Sequence, residues 1–352
     1  MLVTGHTGFK GAWLSEWLLA LGARVTGYAL PPPTEPALFA QLQLAGRLDH
    51  VVADIGDLAA IRAVVERTRP EFVFHLAAQS LVRRSYSQPL ETYATNVLGT
   101  ANVLEALRLA GRACTAIVVT TDKCYENHET GRPYAEDDPL GGRDPYSSSK
   151  AAAELVTHAY RASYFSAPGS PVRVASVRAG NVIGGGDWAE DRIVPDCARA
   201  LAAGQPIIVR HPHASRPWQH VLDPLGGYLR LAAMLSTDRP DSPLAAPFNF
   251  GPAAEANRTV EDLVREVLLH WPGTWEPRTD PAAPHEARLL QLSAAKARRL
   301  LGWTPVWNFG ESVARTITWY RLAGADPAGI PSLTRRQIED YTVANPAPLA
   351  TT

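Results

Sequence analysis

Val3-Thr4-Gly5-His6-Thr7-Gly8-Phe9-Lys10-Gly11 sets three glycines three residues apart between an apolar strand end and a helical pattern. Glycine serves two needs there: it permits the positive φ of a tight strand-to-helix turn, and it lets backbone amides approach a pyrophosphate at the helix N-terminus. Trp13, Leu14, Trp17, Leu18 and Leu21 then recur at helical spacing, which predicts a helix from Ala12 to Leu21 closed by Gly22 as a C-cap. The spacing GxxGxxG departs from the GxGxxG of most dinucleotide turns, but the strand-to-helix context is the same. Gly5, Gly8 and Gly11 therefore read as the floor of a dinucleotide site.

Only Met1 and Leu2 precede this stretch, whereas strands usually run about 5 or 6 residues, so a truncated or misassigned start stays open. Downstream the pattern alternates: a strand from Arg24 to Ala29, another near Val51 to Asp54, a helix from Leu58 to Thr68, a buried-type strand from Phe72 to Leu76, a helix from Asn96 to Ala110, and the apolar run Ala116 to Thr120. Strands separated by helices of this length predict a doubly wound parallel α/β sheet of Rossmann type, with ligands beyond the carboxyl ends of the strands. Val172 to Arg178 reads as a further strand, after which Gly184-Gly185-Gly186-Asp187-Trp188 opens a stretch rich in Gly, Pro, Trp and Arg. Phe248-Asn249-Phe250-Gly251 looks like a return to the sheet. The expected division is a dinucleotide-binding unit over 1–180 with a return near 219–251, a smaller interleaved C-terminal lobe for substrate mainly over 181–340, and a frayed tail over 345–352.

Asp144-Pro145-Tyr146-Ser147-Ser148-Ser149-Lys150 carries the chemistry. Asp144 suits an N-cap and Pro145 the first helical position, so Tyr146 falls in the first turn and Lys150, four residues on, shares its face. A free tyrosine has a pKa of ~10, so a phenol acting as a base near neutrality needs a drop of about 3 units, roughly 4 kcal/mol. An ammonium at about 4 Å and the positive end of the helix dipole are together of that size. The pair is predicted to take a proton from a sugar or alcohol hydroxyl.

Other strand ends are expected to reach the same rim. The second strand ends in Gly27-Tyr28-Ala29-Leu30-Pro31, with neither an acid for a ribose nor an arginine for a 2'-phosphate, and the missing arginine tilts the choice to NAD over NADP. Asp54 and Leu76-Ala77-Ala78-Gln79 either line the adenine and ribose or are ordinary strand termini. Thr120-Thr121-Asp122-Lys123 follows an apolar strand; Asp122 is the candidate general acid, with a solvated turn and an incidental ion pair as the plain alternative. Arg178, Arg192, Arg210 and Arg216 lie in or beside the irregular stretch, where guanidinium forks suit a diphosphate and a surface role for at least two is the alternative. His75 reads as a hydrogen-bonded core residue and Cys124 as a packed thiol.

The 352 residues, 46% apolar, suffice for one large α/β unit or two smaller ones, and 34 Lys plus Arg against 35 Asp plus Glu offer no general attraction to nucleic acid or membrane. Cys114, Cys124 and Cys197 lack metal-ligand spacing and cannot all pair, and the ten histidines contain no HExxH, so a reducing cytoplasmic setting without a metal is expected. No apolar run of about 18 residues and no signal-peptide pattern occurs, so neither export nor a membrane span is expected.

Gly5, Gly8 and Gly11 with Tyr146-x-x-x-Lys150 resemble the extended short-chain dehydrogenase/reductase superfamily, whose nucleotide-sugar branch includes epimerases and 4,6-dehydratases. The strings Val3 to Gly11, Asp122-Lys123-Cys124-Tyr125-Glu126-Asn127, Arg178-Ala179-Gly180-Asn181-Val182-Ile183-Gly184-Gly185-Gly186-Asp187-Trp188 and Arg216-Pro217-Trp218-Gln219-His220-Val221 are similar to the CDP-glucose 4,6-dehydratase family, over about Met1 to Trp307. The resemblance implies bound NAD and an internal redox cycle that turns CDP-D-glucose into CDP-4-dehydro-6-deoxy-D-glucose, a precursor of dideoxy sugars in bacterial surface polysaccharides. It implies Tyr146 as base at the C4 hydroxyl with Lys150 as helper, Thr121 as partner of the C4 oxygen, and Asp122 as acid for the departing C6 hydroxyl. Lys123 stands where related dehydratases carry a glutamate base; burial near Lys150 and the oxidised nicotinamide would lower its pKa from ~10.4, or it would act through a water or polarise the ketone.

By the same resemblance Thr7, Phe9, Lys10, Ile55 and Thr95 join the cofactor site, and Ser80, Ser85, Asn181, Arg192, Arg210 and Arg216 the substrate site. The helices near Asn96 to Ala110 and Tyr146 to Tyr160 would pair in a homodimer. Two other readings stay open. A nucleotide-sugar 4-epimerase shares Tyr146, Lys150 and the cofactor but has no use for Asp122-Lys123, and a catalytically silent dinucleotide-sensing protein has no use for Tyr146, Lys150 and Asp122 together.

Overall fold

β1 (Leu2–Thr4), β2 (Thr26–Ala29), β3 (Asp49–Val52), β4 (Phe72–His75), β5 (Cys114–Val119) and β6 (Val172–Ala179) form one seven-stranded sheet with the later strand Pro247–Phe250. The order across it is Pro247–Phe250, β6, β5, β4, β1, β2, β3, and every neighbouring pair is parallel. This computed structural model describes residues 1–167, 169–238, 242–278 and 289–345; all of the expected frayed tail beyond Asn345 lies outside the described residues. The chain winds outward from β1 through β2 to β3, then returns to place β4 on the other side of β1. The strand order thus reverses between β1 and β4, and a crevice opens at their carboxyl ends.

Alternation along each strand sorts its side chains to the two faces. On one, Val73, Ala116, Val118 and Val174 cluster with Ile61, Val65, Val103, Leu104 and Leu107 of helices Leu58–Thr68 and Gly99–Ala110. On the other, Phe74, Ile117, Val119, Ala175 and Val177 cluster with Trp13, Leu14, Trp17 and Leu18 of α1 (Phe9–Ala20) and with Leu222, Leu225 and Leu229 of helix Leu222–Thr237. Strands covered on both faces must be apolar throughout, which is why β5 reads as a continuous hydrophobic run.

The predicted ends shift by about a turn or less. α1 begins at Phe9 rather than Ala12, because Gly8 is already its N-cap, and it stops at Ala20, with Gly22 at φ +80° just beyond. The helix expected from Asn96 starts at Gly99, preceded by a π-turn over Ala94–Leu98. Short β1 is paired along its whole length on both sides, by β2 and by β4. No helix among the described residues is long and apolar enough to cross a membrane.

Between β6 and the edge strand, and again after it, the chain makes short paired strands: Val182–Ile183 with Gln219–His220, Ser215–Pro217 with Asn257–Thr259, and Ile207–Val209 with Trp275–Pro277. Helices Ile193–Ala202, Val260–His270, Phe309–Ala325 and Ile330–Ala344 accompany them. The Gly184-Gly185-Gly186 loop joins these parts to α1. The Trp13 indole donates to the Gly185 carbonyl at 2.9 Å, and a Cβ on Gly185 would lie 2.0 Å from the Trp319 ring.

A Cβ on Gly11 would fall 2.1 Å from the Gly5 carbonyl oxygen, which is backbone and cannot step aside. Gly11→Ala is therefore expected to cost about 1–3 kcal/mol by overpacking, read as a lower Tm in calorimetry. Gly46→Ala, whose Cβ would meet open space, should leave Tm nearly unchanged.

Candidate active site

Gly5 leaves β1 at φ +75° and passes so close to the end of β4 that a Cβ would meet the Ala77 nitrogen at 2.6 Å. Leu76 N donates to the Thr4 carbonyl at 3.1 Å and Ala77 N to Thr4 Oγ1 at 3.2 Å, so the two strand ends are locked side by side. Gly8 caps α1 without any side-chain hydrogen bond, leaving the first amides of a 12-residue helix at the β1/β4 crevice. Open amides, the positive helix end and a loop free of side-chain bulk fit a dinucleotide pyrophosphate. At the end of β2, Gly27 makes room for the His6 ring, which hydrogen-bonds His50 at 2.7 Å. His75 is the core residue expected: its ring meets Thr4 at 2.7 Å and Thr100 at 3.1 Å, and burial lowers its pKa to about 3.

Asp144 caps the helix Pro145–Tyr160, accepting from Ser147 N at 2.9 Å, and Pro145 is its first residue. Tyr146 and Lys150 accordingly share one buried face, and Glu154 is the next residue along it. Thr121, at the end of β5, donates to Asp122 Oδ1 at 3.0 Å, and its hydroxyl is the neighbour that partly offsets the effect of burial on the Tyr146 phenol. A continuous line, Tyr146–Thr121–Asp122, therefore joins the helix to the sheet. Lys150 Nζ donates to the Val119 carbonyl at 3.1 Å.

Burial governs the charges here. It pushes the Tyr146 phenol up to about 12, against the opposing Thr121 hydrogen bond and Arg192 field. The lowering predicted from Lys150 is not found: that ammonium is turned to the Val119 carbonyl and is itself brought down to about 8 by burial. Burial also raises the Asp122 carboxyl, outweighing Lys123, the Thr121 hydrogen bond, Arg216 and Lys10. A carboxyl held this way binds its proton more firmly than an exposed one, the direction an acid catalyst needs. Lys10 comes down to about 8 through burial and the Arg192 field, so Lys10, Arg192, Arg216 and Lys123 make the surroundings of Asp122 and Tyr146 cationic.

Several predicted residues converge on this point and others do not. Arg192 bonds Asp187 at 2.8 Å and Ser80 Oγ at 3.3 Å beside Tyr146, and Arg216 is buried within electrostatic reach of Asp122. Lys123 is half-buried, not sealed in the interior as Lys150 is. Arg178 is no phosphate fork: with 3% of its side chain exposed it pairs with Glu154 at 2.9 Å and donates to the Tyr125 hydroxyl at 2.7 Å. Arg210 pairs with Asp191 and Asp196, and the buried Ser85 spends its hydroxyl on the Val82 carbonyl at 2.6 Å. The Gln79 amide is likewise spent, on Leu81 and Thr92, so it braces its loop.

Asp54 accepts from Gly56 N at 2.8 Å, closing a turn, while Ile55 packs on Gly99. Thr7 donates to the Leu30 carbonyl at 2.9 Å, the Phe9 ring lies against Gly184, Thr95 sits half-buried in the π-turn, and the Asn181 carbonyl accepts from Gln219 N at 3.1 Å. Asn96 escaped the sequence reading. Its amide accepts from Gln79 N at 2.8 Å and donates to the Gln79 carbonyl at 3.0 Å and Ser149 Oγ at 2.8 Å, tying the end of β4 to the Tyr146 helix. It lies in the π-turn, which a 3.6-residue period does not reveal.

The model of the GDP-mannose 4,6 dehydratase family matches residues 2–316. A CDP-glucose 4,6-dehydratase of Salmonella typhimurium is 45% identical over 350 residues, 98% of this chain and 96% of that protein. The crystal structure of DesIV, a dTDP-glucose 4,6-dehydratase from Streptomyces venezuelae with NAD and TYD bound, superimposes with a TM-score of 0.77 at 26% identity, covering 92% of this chain and 98% of that one. The UDP-glucose 4-epimerase of Thermus thermophilus in complex with NAD gives a TM-score of 0.77 at 25% identity, over 91% and 98% of the two chains.

The buried Arg178–Glu154 pair makes a thermodynamic prediction. Arg178→Met strands the Glu154 carboxylate and should cost about 3–5 kcal/mol, measured as a drop in the denaturant midpoint.

Proposed function

The chain belongs to the GDP-mannose 4,6 dehydratase family, and on that premise we propose that it is a CDP-glucose 4,6-dehydratase, converting CDP-D-glucose to CDP-4-dehydro-6-deoxy-D-glucose and water with NAD in the glycine-lined crevice. The observation that carries this reading is the convergence of Tyr146, Thr121 and Asp122, which sets a buried phenol and a buried carboxyl of raised proton affinity on either side of one hydroxyl. An epimerase uses the phenol but has no task for the buried acid.

NAD, when bound, supplies the acceptor and donor of a hydride and a positive ring charge. Tyr146 takes the C4 hydroxyl proton, with Lys150 fixing charge one turn along the helix and Thr121 bonding the C4 oxygen. Lys123, half-buried, takes the C5 proton through a water, or polarises the new ketone so that the C5 proton leaves to solvent, and Asp122 gives its proton to the departing C6 hydroxyl. Arg192 with Ser80, and Arg216, receive the diphosphate, with Asn181 on the loop beside them, while Lys10 with Thr7 and Phe9 belongs to the cofactor side. Gly5, Gly8 and Gly11 with Leu76, Ala77, Ala78, Asp54, Ile55 and Thr95 form the cofactor bed, so residues 1–180 with the return near 219–251 hold NAD and 181–340 mainly hold the sugar nucleotide.

Leu98, Leu109 and Leu155 are 62%, 43% and 58% exposed on and beside helices Gly99–Ala110 and Pro145–Tyr160, an apolar surface that supports a homodimer. The protein is assigned to the cytoplasm, where its three buried free thiols stay reduced. Sedimentation should give a dimer, and Leu155→Glu should shift it to monomer.

The test is incubation with NAD and, in turn, the CDP, dTDP, UDP and GDP forms of glucose. A 4-keto-6-deoxy product from the CDP sugar without net NADH is expected; a C4-inverted sugar would establish the epimerase, and binding without turnover the sensor. Asp122→Asn should lower kcat by about 10²–10⁴ with NAD affinity retained.

A further inference from the structure

Tyr146 and Lys150 account for two positions of one helical face, and a third, Glu154, follows after another four residues and is 3% exposed. Its carboxylate is fully engaged. It accepts from Thr120 Oγ1 just past β5, from Ser176 Oγ at 2.7 Å and from Arg178 at 2.9 Å on β6. Arg178 in turn donates to Tyr125, which donates to Asn249 at 2.7 Å on the edge strand. The anchor therefore grips the residue directly before Thr121 and Asp122, on the helix that carries Tyr146.

We infer that Glu154 is a positioning residue of this reaction centre: its carboxylate supplies the negative charge that keeps the buried Lys150 an ammonium, and it pins the end of β5 from which Thr121 and Asp122 meet Tyr146. A buried ammonium bonded only to a carbonyl tends to shed its proton, and a nearby carboxylate opposes that. Arg178 holds Glu154 ionised, keeping its pKa low in spite of burial, and the Glu154 charge raises Lys150 against the burial that lowers it to about 8. The groups within electrostatic reach of Glu154 are Arg178, Lys150, Arg161 and Cys124; those within reach of Lys150 are Glu154, Cys124, Lys10 and His75. The Glu154 and Arg178 charges can be removed separately by mutation.

The inference rests on the dehydratase reading for its consequence in turnover, so the amine is also titrated directly. In nitrogen-15 lysine NMR of the holoenzyme, Glu154→Gln should lower the titration of Lys150 Nζ by about 1 unit, a tenfold change in its proton affinity. Glu154→Asp should restore it. Lys150 loses its proton as pH rises, so the alkaline limb of kcat for CDP-glucose should move down by the same amount, with KM little changed. Because Glu154→Gln leaves Arg178 unpaired in the core, the double variant Glu154→Gln, Arg178→Met serves where the single one does not fold, and the same downward shift is expected. An unmoved Nζ titration, or a kcat reduced by one factor at every pH, would overturn the inference. An inactive parent enzyme with the Nζ shift intact would instead count against the substrate assignment.

Discussion

Desolvation at the carboxyl end of β5 sets the behaviour of the reaction centre. Removed from water, Tyr146 and Asp122 both hold their protons more firmly, while Lys150 and Lys10 hold theirs less firmly. The chain alone therefore keeps a neutral phenol on one side of Thr121 and a carboxyl biased toward its protonated form on the other. For the phenol to act as a base, positive charge must be brought in beside it. Among the described residues Arg178 and Glu154 form an ionic pair with both side chains buried, held by donation from Thr120 and Ser176 to the carboxylate and from the guanidinium to the Tyr125 hydroxyl and the Glu136 carbonyl.

The sheet makes that desolvation possible. β5 and β6 are covered on both faces, so the polar residues that follow them emerge from apolar layers straight into the crevice. Register then matters to fractions of an ångström. Gly5 and Gly11 let α1 and the end of β4 close on the loop, and Asn96 fixes the loop after β4 to the Tyr146 helix. On the far side, Trp13 holds the Gly185 carbonyl, so the loop that leads to Asp187 and Arg192 is referenced to the helix that starts at the glycine turn.

Much of this was legible in the sequence, for identifiable reasons. The glycine turn, the Asp144 cap, Pro145 and the four-residue step from Tyr146 to Lys150 are local patterns, and local patterns carry their geometry with them. Phe248-Asn249-Phe250 was readable as a strand because its two phenylalanines alternate onto one buried face. What stayed hidden was long-range. Nothing near Arg178 announces Glu154, 24 positions away in sequence, and the general attraction of arginine for phosphate pointed the wrong way. The π-turn that aims Asn96 breaks the helical period, and the direction of the Tyr146 shift follows from its burial, which spacing alone does not determine.

Bound in the glycine-lined crevice, NAD would supply the hydride exchange at both C4 and C6 of a single sugar, with Tyr146 and Asp122 handling the protons at either end. That exchange is tested most directly by supplying CDP-glucose carrying deuterium at C4 and locating the label in the 4-keto-6-deoxy product by mass spectrometry and NMR. The account predicts that deuterium appears at C6 of the same molecule, with no exchange between labelled and unlabelled substrate in a mixture. Deuterium retained at C4, lost to solvent, or scrambled between molecules would contradict it.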